Sequence, residues 1–339
     1  MKILFIANPC QNLYKDIESE MVLQGHEVVT IVDKQFKYDP NVKSSRFKYY
    51  LLYPLKKILW CKRIRNYWKE LFDNNKSLKQ TFDTLFVLSG ISLDDEVLNY
   101  IEQKNPGIKK VIYTWDSCNH YNFGRFLPRM DKSYTFDIVD SHKDCRWKLL
   151  PIFYKEDNNQ SSLIYDFFLI GSNHDGRYSF VKKILPQLKE NGYTYFIKIV
   201  GHEKILSGLD KFFLAFRTKK AKELNEEVRF SRGEENEDCL SREGFSIDDY
   251  KLLLSQSRCV LDDQRDNQSG LSARFIWALS QGKIIYTTNN NARDYSFINP
   301  GQVIQIDKEN PRITHIPSFN GKSDVSFLRI DNWVKEVLS

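Results

Sequence analysis

Apolar and polar positions along the chain fall into blocks whose order repeats. An apolar run over 2–7 (KILFIA) leads into a helical pattern over 15–25 (KDIESEMVLQG) that stops at Gly25, and then into a second apolar run over 26–33 (HEVVTIVD). The order returns with DTLFVLSG (83–90), a helical LDDEVLNYIEQK (93–104), KKVIYTWDS (109–117) and KSYTFDIVDSH (132–142), the last predicted as a further strand. Runs of this length, ending in small or polar residues and separated by helices, predict a parallel sheet covered on both faces. The polar, aperiodic FYKEDNNQSS (153–162) breaks the pattern and predicts a linker. Beyond it come strands at YDFFLIGS (165–172) and YTYFIKIVG (193–201), and a helix at SIDDYKLLLSQS (246–257). A strand–helix–strand unit follows at 259–289, and SFLRIDNWVKEVLS (326–339) predicts a final amphipathic helix. The predicted fold class is α/β: two Rossmann-like, doubly wound domains over 1–155 and 163–325, with a C-terminal helix at 326–339.

In such sheets ligands meet the C-terminal ends of the strands, so the residues there are the first candidates for chemistry. The segment QSGLSAR (268–274) opens the helix of the 259–289 unit. Ser269 and Ser272 are candidate caps, Gly270 lets a ligand approach the backbone, and the free N–H groups of a helix start attract phosphate. Arg274 lies one turn in, where its fork can meet an anion; the plainer reading is a capped helix with a solvated arginine. Gly171 and Ser172 follow a strand in IGSNHDGR (170–177), and Arg177 is placed to neutralise a diphosphate. The spacing is neither a P-loop nor GxGxxG. In the first half, Asp116 ends an apolar strand, where a carboxylate oriented by Ser117 can act as general base toward an acceptor hydroxyl; the plainer reading is a turn or helix cap made by Asp116 or Ser117. Asp137 and Asp140 are weaker candidates of the same kind, with Asp140 or Ser141 read as the cap of the next helix.

Composition narrows the classes. The chain of 339 residues is 41% hydrophobic and 28% charged, long enough for two cores, with no apolar stretch near the roughly eighteen residues that suggest a membrane span. The N-terminal run is too short for a signal peptide, so a cytoplasmic location is expected. The six cysteines are scattered without CxxC or Cys/His spacing, which favours reduced thiols over disulfides or zinc. On a non-secretory reading the sequons at Asn75, Asn159 and Asn267 are chance matches. No Asp-x-Asp triplet occurs and the histidines are isolated, so no metal is predicted.

The segment 268–289 (QSGLSARFIWALSQGKIIYTTN) resembles the donor segment of GT-B glycosyltransferases of bacterial surface polysaccharide and lipopolysaccharide synthesis. YTWDS (113–117), YTFDIVDSHK (134–143), LLPIFY (149–154) and FLIGSNHDGR (168–177) fit the same picture in order, so the resemblance covers most of the chain except about 34–80. It implies an acceptor-binding first domain, a donor-binding second domain, catalysis in a cleft between them, and a terminal helix crossing back. It also implies a UDP- or GDP-sugar as donor substrate with no separate cofactor, and a glycan or lipid-linked acceptor. On this reading Gly171, Ser172, Arg177 and the stretch Gln268, Ser269, Gly270, Leu271, Ser272 and Arg274 hold the donor, Asp116 is the catalytic carboxylate, and transfer needs no metal. One departure stands out: where the family carries an acid that reaches the ribose, this chain has Trp277, which is either a stacking face or a buried helix-face residue. Two other functions stay open at this point, a sugar-nucleotide epimerase of the same architecture and a non-catalytic glycan- or nucleotide-binding member.

Segment 47–71 lies outside the resemblance. After Pro54, Leu55, Ile58, Leu59, Tyr67, Trp68 and Leu71 recur at helical spacing among Lys56, Lys57, Lys62, Arg63, Arg65 and Lys69. This predicts a basic amphipathic helix on an anionic membrane surface, with the protein peripheral on the inner face of the plasma membrane; the alternative is a helix packed on the first sheet. The net charge of +6 also suits nucleic acid, but no nucleic-acid-binding motif accompanies it, and none is expected as a partner.

Overall fold

The computed structural model describes residues 1–34, 36, 46–156, 161–173, 176–201, 238–319 and 321–339, and for 46–52 the backbone alone. Residues 157–160 of the predicted linker, the sequon at Asn159, and His174 and Asp175 of the 170–177 motif lie outside the described residues. The chain forms two compact units. Unit 1 takes Met1–Lys155, Asn267–Leu271 and Ser326–Ser339, and unit 2 takes Glu156–Asp266 and Ser272–Val325. The stretch 267–271, read above with the second half, therefore packs with unit 1.

Unit 1 is built on β1 (Lys2–Ala7), β2 (Glu27–Val32), β3 (Thr84–Leu88), β4 (Lys109–Thr114), β5 (Lys132–Thr135) and β6 (Lys148–Leu149), paired in parallel in the order β2-β1-β3-β4-β5-β6. β1 and β3 are buried almost throughout, which is why they read as unbroken apolar runs. The helices are α1 (Tyr14–Leu23), α2 (Arg46–Asn74), α3 (Asp95–Lys104) and α4 (Ile138–Lys143). α3 starts on the Asp94 carboxylate, which accepts from Val97 N, and it carries Asp95 and Glu96 in its first turn and Lys104 in its last, as the helix dipole favours.

Two expectations change here. The stretch 132–142 is not one strand: β5 ends at Thr135, and Asp137, rather than Asp140 or Ser141, caps α4 by accepting from Val139 N and Asp140 N. The β-branched Ile138 and Val139 suggested a strand, but the cap turns the backbone after Phe136. α2 starts at Arg46 and runs through Pro54 instead of beginning after it. The stripe it buries is Trp60, Ile64 and Trp68, one residue every four, with the Trp68 indole donating to Ser92 O at 2.8 Å.

Unit 2 contains β7 (Tyr165–Ser172), α5 (Arg177–Glu190), β8 (Tyr195–Val200), β9 (Leu240–Ser241), α6 (Ile247–Ser255), β10 (Ser257–Asp262), α7 (Ala273–Ser280), β11 (Ile284–Thr287) and β12 (Val303–Gln305). Its sheet is parallel in the order β12-β11-β10-β7-β8-β9. Counted within the unit, this is the dinucleotide-fold order 3-2-1-4-5-6, with the direction of winding reversing between β7 and β10. In unit 1 the reversal lies between β1 and β3. The final amphipathic segment of the sequence is a short turn followed by α8 (Ile330–Leu338), which belongs to unit 1. Its Trp333 is fully buried against Tyr113 and Phe153 at 4.7 and 5.5 Å between ring centroids, and its indole donates to Pro151 O at 3.1 Å.

Candidate functional site

In unit 2 the ends of β7 and β10 lie side by side at the reversal, and a knot of charge is built there. Asp262 and Asp263 close β10 and are both buried. The Asp262 carboxylate accepts from Ser272 Oγ at 2.8 Å and Thr287 Oγ1 at 2.9 Å and lies 3.5 Å from Arg274 Nε. Asp263 faces Arg177 Nε and Lys308 Nζ, each at 3.4 Å, and among the described residues no hydrogen bond reaches its side-chain oxygens. Burial pushes its carboxyl above the usual range against the pull of those cations. Arg177, the first residue of α5, is 3% exposed; it donates to Ser172 O at 2.8 Å and Asp263 O at 3.1 Å. Burial and the neighbouring Arg274 lower its pKa to about 10.

Gly171 is required by this knot. A Cβ there would stand 2.5 Å from Arg177 Nη1 and 3.3 Å from Arg274 Nη1, so the two guanidinium groups lie directly against the backbone at the end of β7. α5 begins on Gly176 in the left-handed region (φ 79°), and its first turn is partly capped by Asn173 Oδ1, which accepts from Tyr178 N at 3.3 Å. The structure thus brings together Gly171, Ser172, Arg177 and Arg274, and it adds Lys308, which donates to Asp266 and Gln264 O. Nothing in the sequence pointed to Lys308, which follows β12 in an unremarkable IDKEN. Arg177 and Arg274 are not solvated: each cross-links a strand end, Arg274 by donating to Ile170 O at 3.0 Å. Ser272 caps α7 by accepting from Phe275 N. Trp277 is 9% exposed and edge-on to Tyr250, with ring centroids 5.5 Å apart, so its indole is part of the α6–α7 packing.

The rest of the predicted donor stretch is engaged within unit 1. Gln268 Nε2 donates to Asp116 Oδ1 at 2.8 Å. Asp137, fully buried, accepts from Ser269 N at 2.8 Å, Gly270 N at 3.3 Å and the Ser269 hydroxyl, besides the two amides of α4. A carboxylate accepting five donors has little lone-pair capacity left for proton transfer, so Asp137 is a clamp. Gly270 is needed because a Cβ would sit 2.4 Å from the Phe136 ring, and Leu271 is fully buried. The close approach at Gly270 is thus made by a protein ring.

Asp116 is half-buried at the end of β4, beside the loops of the unit 1 reversal. Ser117 does not orient it; its Oγ accepts from Asn119 N in a tight turn. Asp140 accepts from Cys118 N at 2.6 Å, and burial, then Asp137, raises its pKa. Among the described residues the non-glycine positions with positive φ are Gln11 (51°), Asn12 (58°) and Ser89 (72°), all just after β1 or β3. Asp33 holds the second of these loops by accepting from Ile91 N and from Ser92 N at 2.7 Å. Strained backbone collected at one topological reversal is the usual mark of a ligand crevice. The sequence hinted at it only through the polar runs NPCQN and SG.

No group of His, Cys, Asp and Glu suited to a metal occurs among the described residues. No family model matches the chain, and no curated protein does. Among solved structures it is similar to Os79 from O. sativa in complex with UDP, at 10% identity over 99% of this chain and 89% of that one, with a TM-score of 0.46. It is also similar to MurG from Acinetobacter baumannii, at 10% identity over 90% and 85% of the two chains, with a TM-score of 0.39.

Proposed function

We propose that this chain is a glycosyltransferase of the GT-B type, moving a sugar from a UDP- or GDP-sugar to a hydroxyl of a surface glycan or lipid-linked acceptor. The observation that carries the reading is the unit 2 reversal, where Gly171, Ser172 and the first turn of α5 meet two arginines at the end of a dinucleotide-type sheet. On this reading the donor diphosphate lies over Gly171 and Ser172 and takes hydrogen bonds from the start of α5. Arg177 and Arg274 supply fixed positive charge beneath it, held in place by Asp262 and Asp263, so little reorganisation is needed as charge develops on the leaving phosphate. The acceptor is read into the unit 1 crevice. Asp116 takes the hydroxyl proton as that oxygen attacks the anomeric carbon and the nucleoside diphosphate departs, for a reaction that inverts configuration. Gln268 fixes the Asp116 carboxylate.

Transfer is proposed to be metal-independent, because the arginines and the helix start provide the neutralising charge. Incubating the protein with a panel of nucleotide sugars and lipid-linked or glycan acceptors, with and without excess EDTA, tests this by mass spectrometry. A product one sugar heavier, formed at a similar rate with chelator, is expected. No product from any donor would remove the transferase reading, and loss restored by manganese would remove the metal-independent one.

A further inference from the structure

The transferase reading leaves α2 unused, and its outward face is unlike that of an ordinary packed helix. With Trp60, Ile64 and Trp68 turned into the core of unit 1, the opposite side of its middle turns carries Leu55 (58% exposed), Ile58 (68%) and Leu59 (36%). Spacings of three and four place these side chains on one surface. Lys62 and Lys69 are exposed on that stripe and Arg63 beside it. The 29-residue helix has eight basic and two acidic residues, a net +6 equal to that of the whole chain. Arg65 is held by Glu96, so part of the charge is matched internally, but Lys62 and Lys69 face solvent. The predicted stripe therefore divides: Tyr67, Trp68 and Leu71 serve the core, while Leu55, Ile58 and Leu59 do not.

We infer that the outward face of α2 is a docking surface for an anionic lipid bilayer. Leu55, Ile58 and Leu59 enter the boundary between headgroups and acyl chains, and Lys62 and Lys69 meet lipid phosphates beside them. Charge complementarity selects this occupant: a protein-facing apolar patch is depleted of lysine, whereas a bilayer surface rewards this combination. The helix lies along the surface, because no described helix is long and apolar enough to cross a membrane. The inference does not depend on the transferase reading, since partitioning is measured without donor or acceptor.

The test is flotation of the full chain with phosphatidylcholine vesicles, with and without phosphatidylglycerol. Wild type is expected to float only with the anionic vesicles, and less so as salt rises past about 0.1 M, where screening acts within about 10 Å. Replacing Lys62 and Lys69 together by Gln is expected to weaken partitioning on the order of 30-fold. Leu55→Ser, Ile58→Ser and Leu59→Ser combined should weaken it at least about tenfold while the chain stays cooperatively folded, with a melt lowered only by the helix propensity lost, because these side chains are largely exposed. With the exposed Cys10 and Cys145 replaced by Ser, a fluorophore on Ile58→Cys should shift to the blue on anionic vesicles alone. Absence of wild-type binding at low salt overturns the inference, as does apolar-variant partitioning equal to wild type. Light scattering that shows a dimer dissolved by the apolar variant, without vesicle binding, would assign the face to a second copy and overturn it too.

Discussion

Arg177→Met is expected to lower the stability of unit 2 by about 3–5 kcal/mol, the cost of leaving one partner of a buried ion pair alone. The guanidinium is 3% exposed and spans the ends of two neighbouring strands, so its loss strands the Asp263 carboxylate and takes donors from Ser172 O and Asp263 O. Lys308 still faces Asp263, which places the cost toward the lower end of that range. The pH dependence has a definite sign. Burial already raises Asp263 in the folded state, and removing Arg177 raises it further; a group with a raised folded pKa binds its proton more tightly when folded, so the deficit shrinks as pH falls and grows as pH rises. Urea unfolding at mildly acidic and mildly alkaline pH should show the larger loss at the alkaline end. Arg177→Met with Asp263→Leu is expected to regain most of the stability, since a buried pair replaced by apolar residues is often neutral. A single variant within about 1 kcal/mol of wild type would mean that the knot is not holding the strand ends together.

Asp116→Asn is expected to lower turnover by about 10² to 10⁴ with donor binding unchanged. The amide keeps the volume and can still accept from Gln268 Nε2, so the local geometry is preserved while the base is lost. Steady-state kinetics with calorimetry on the same preparation separates the two effects. Turnover within a few-fold of wild type would make Asp116 a turn residue and move the base elsewhere, Asp140, which accepts from Cys118 N, being the next carboxyl to test. Weakened donor binding would instead indicate that the Asp116–Gln268 contact supports the nucleotide.

Much of the fold was legible in the sequence because parallel strands buried on both faces leave unbroken apolar runs, as in KILFIA and DTLFVL, and because caps are local: Ser246 and Asp249 form a capping box, and Gly25 takes φ 84° after α1. Where a single local choice outweighed propensity, reading failed. Ile138 and Val139 have strand-like side chains, yet the Asp137 cap makes them a helix start. α2 has apolar residues on two faces, and periodicity alone could not decide which one meets the core. The sites were legible only in part. Gly171, Arg177 and Arg274 stood out by their positions after strands and in first turns, but that both arginines are held by Asp262 and Asp263 depends on side chains brought together by topology. Lys308 enters that cluster from after β12, and Ser269 and Gly270 leave the donor group for an Asp137 more than a hundred residues earlier in the sequence; no spacing rule reaches so far.

The central claim is that a nucleoside diphosphate sits at the unit 2 reversal. Titrating uridine, guanosine, adenosine and thymidine diphosphates into the full chain by calorimetry, followed by amide hydrogen exchange with the one that binds, tests it directly. The account predicts binding of at least one, with slowed exchange in 170–178 and 262–275. Binding of none, or protection confined to the loops after β1 and β3, would contradict it.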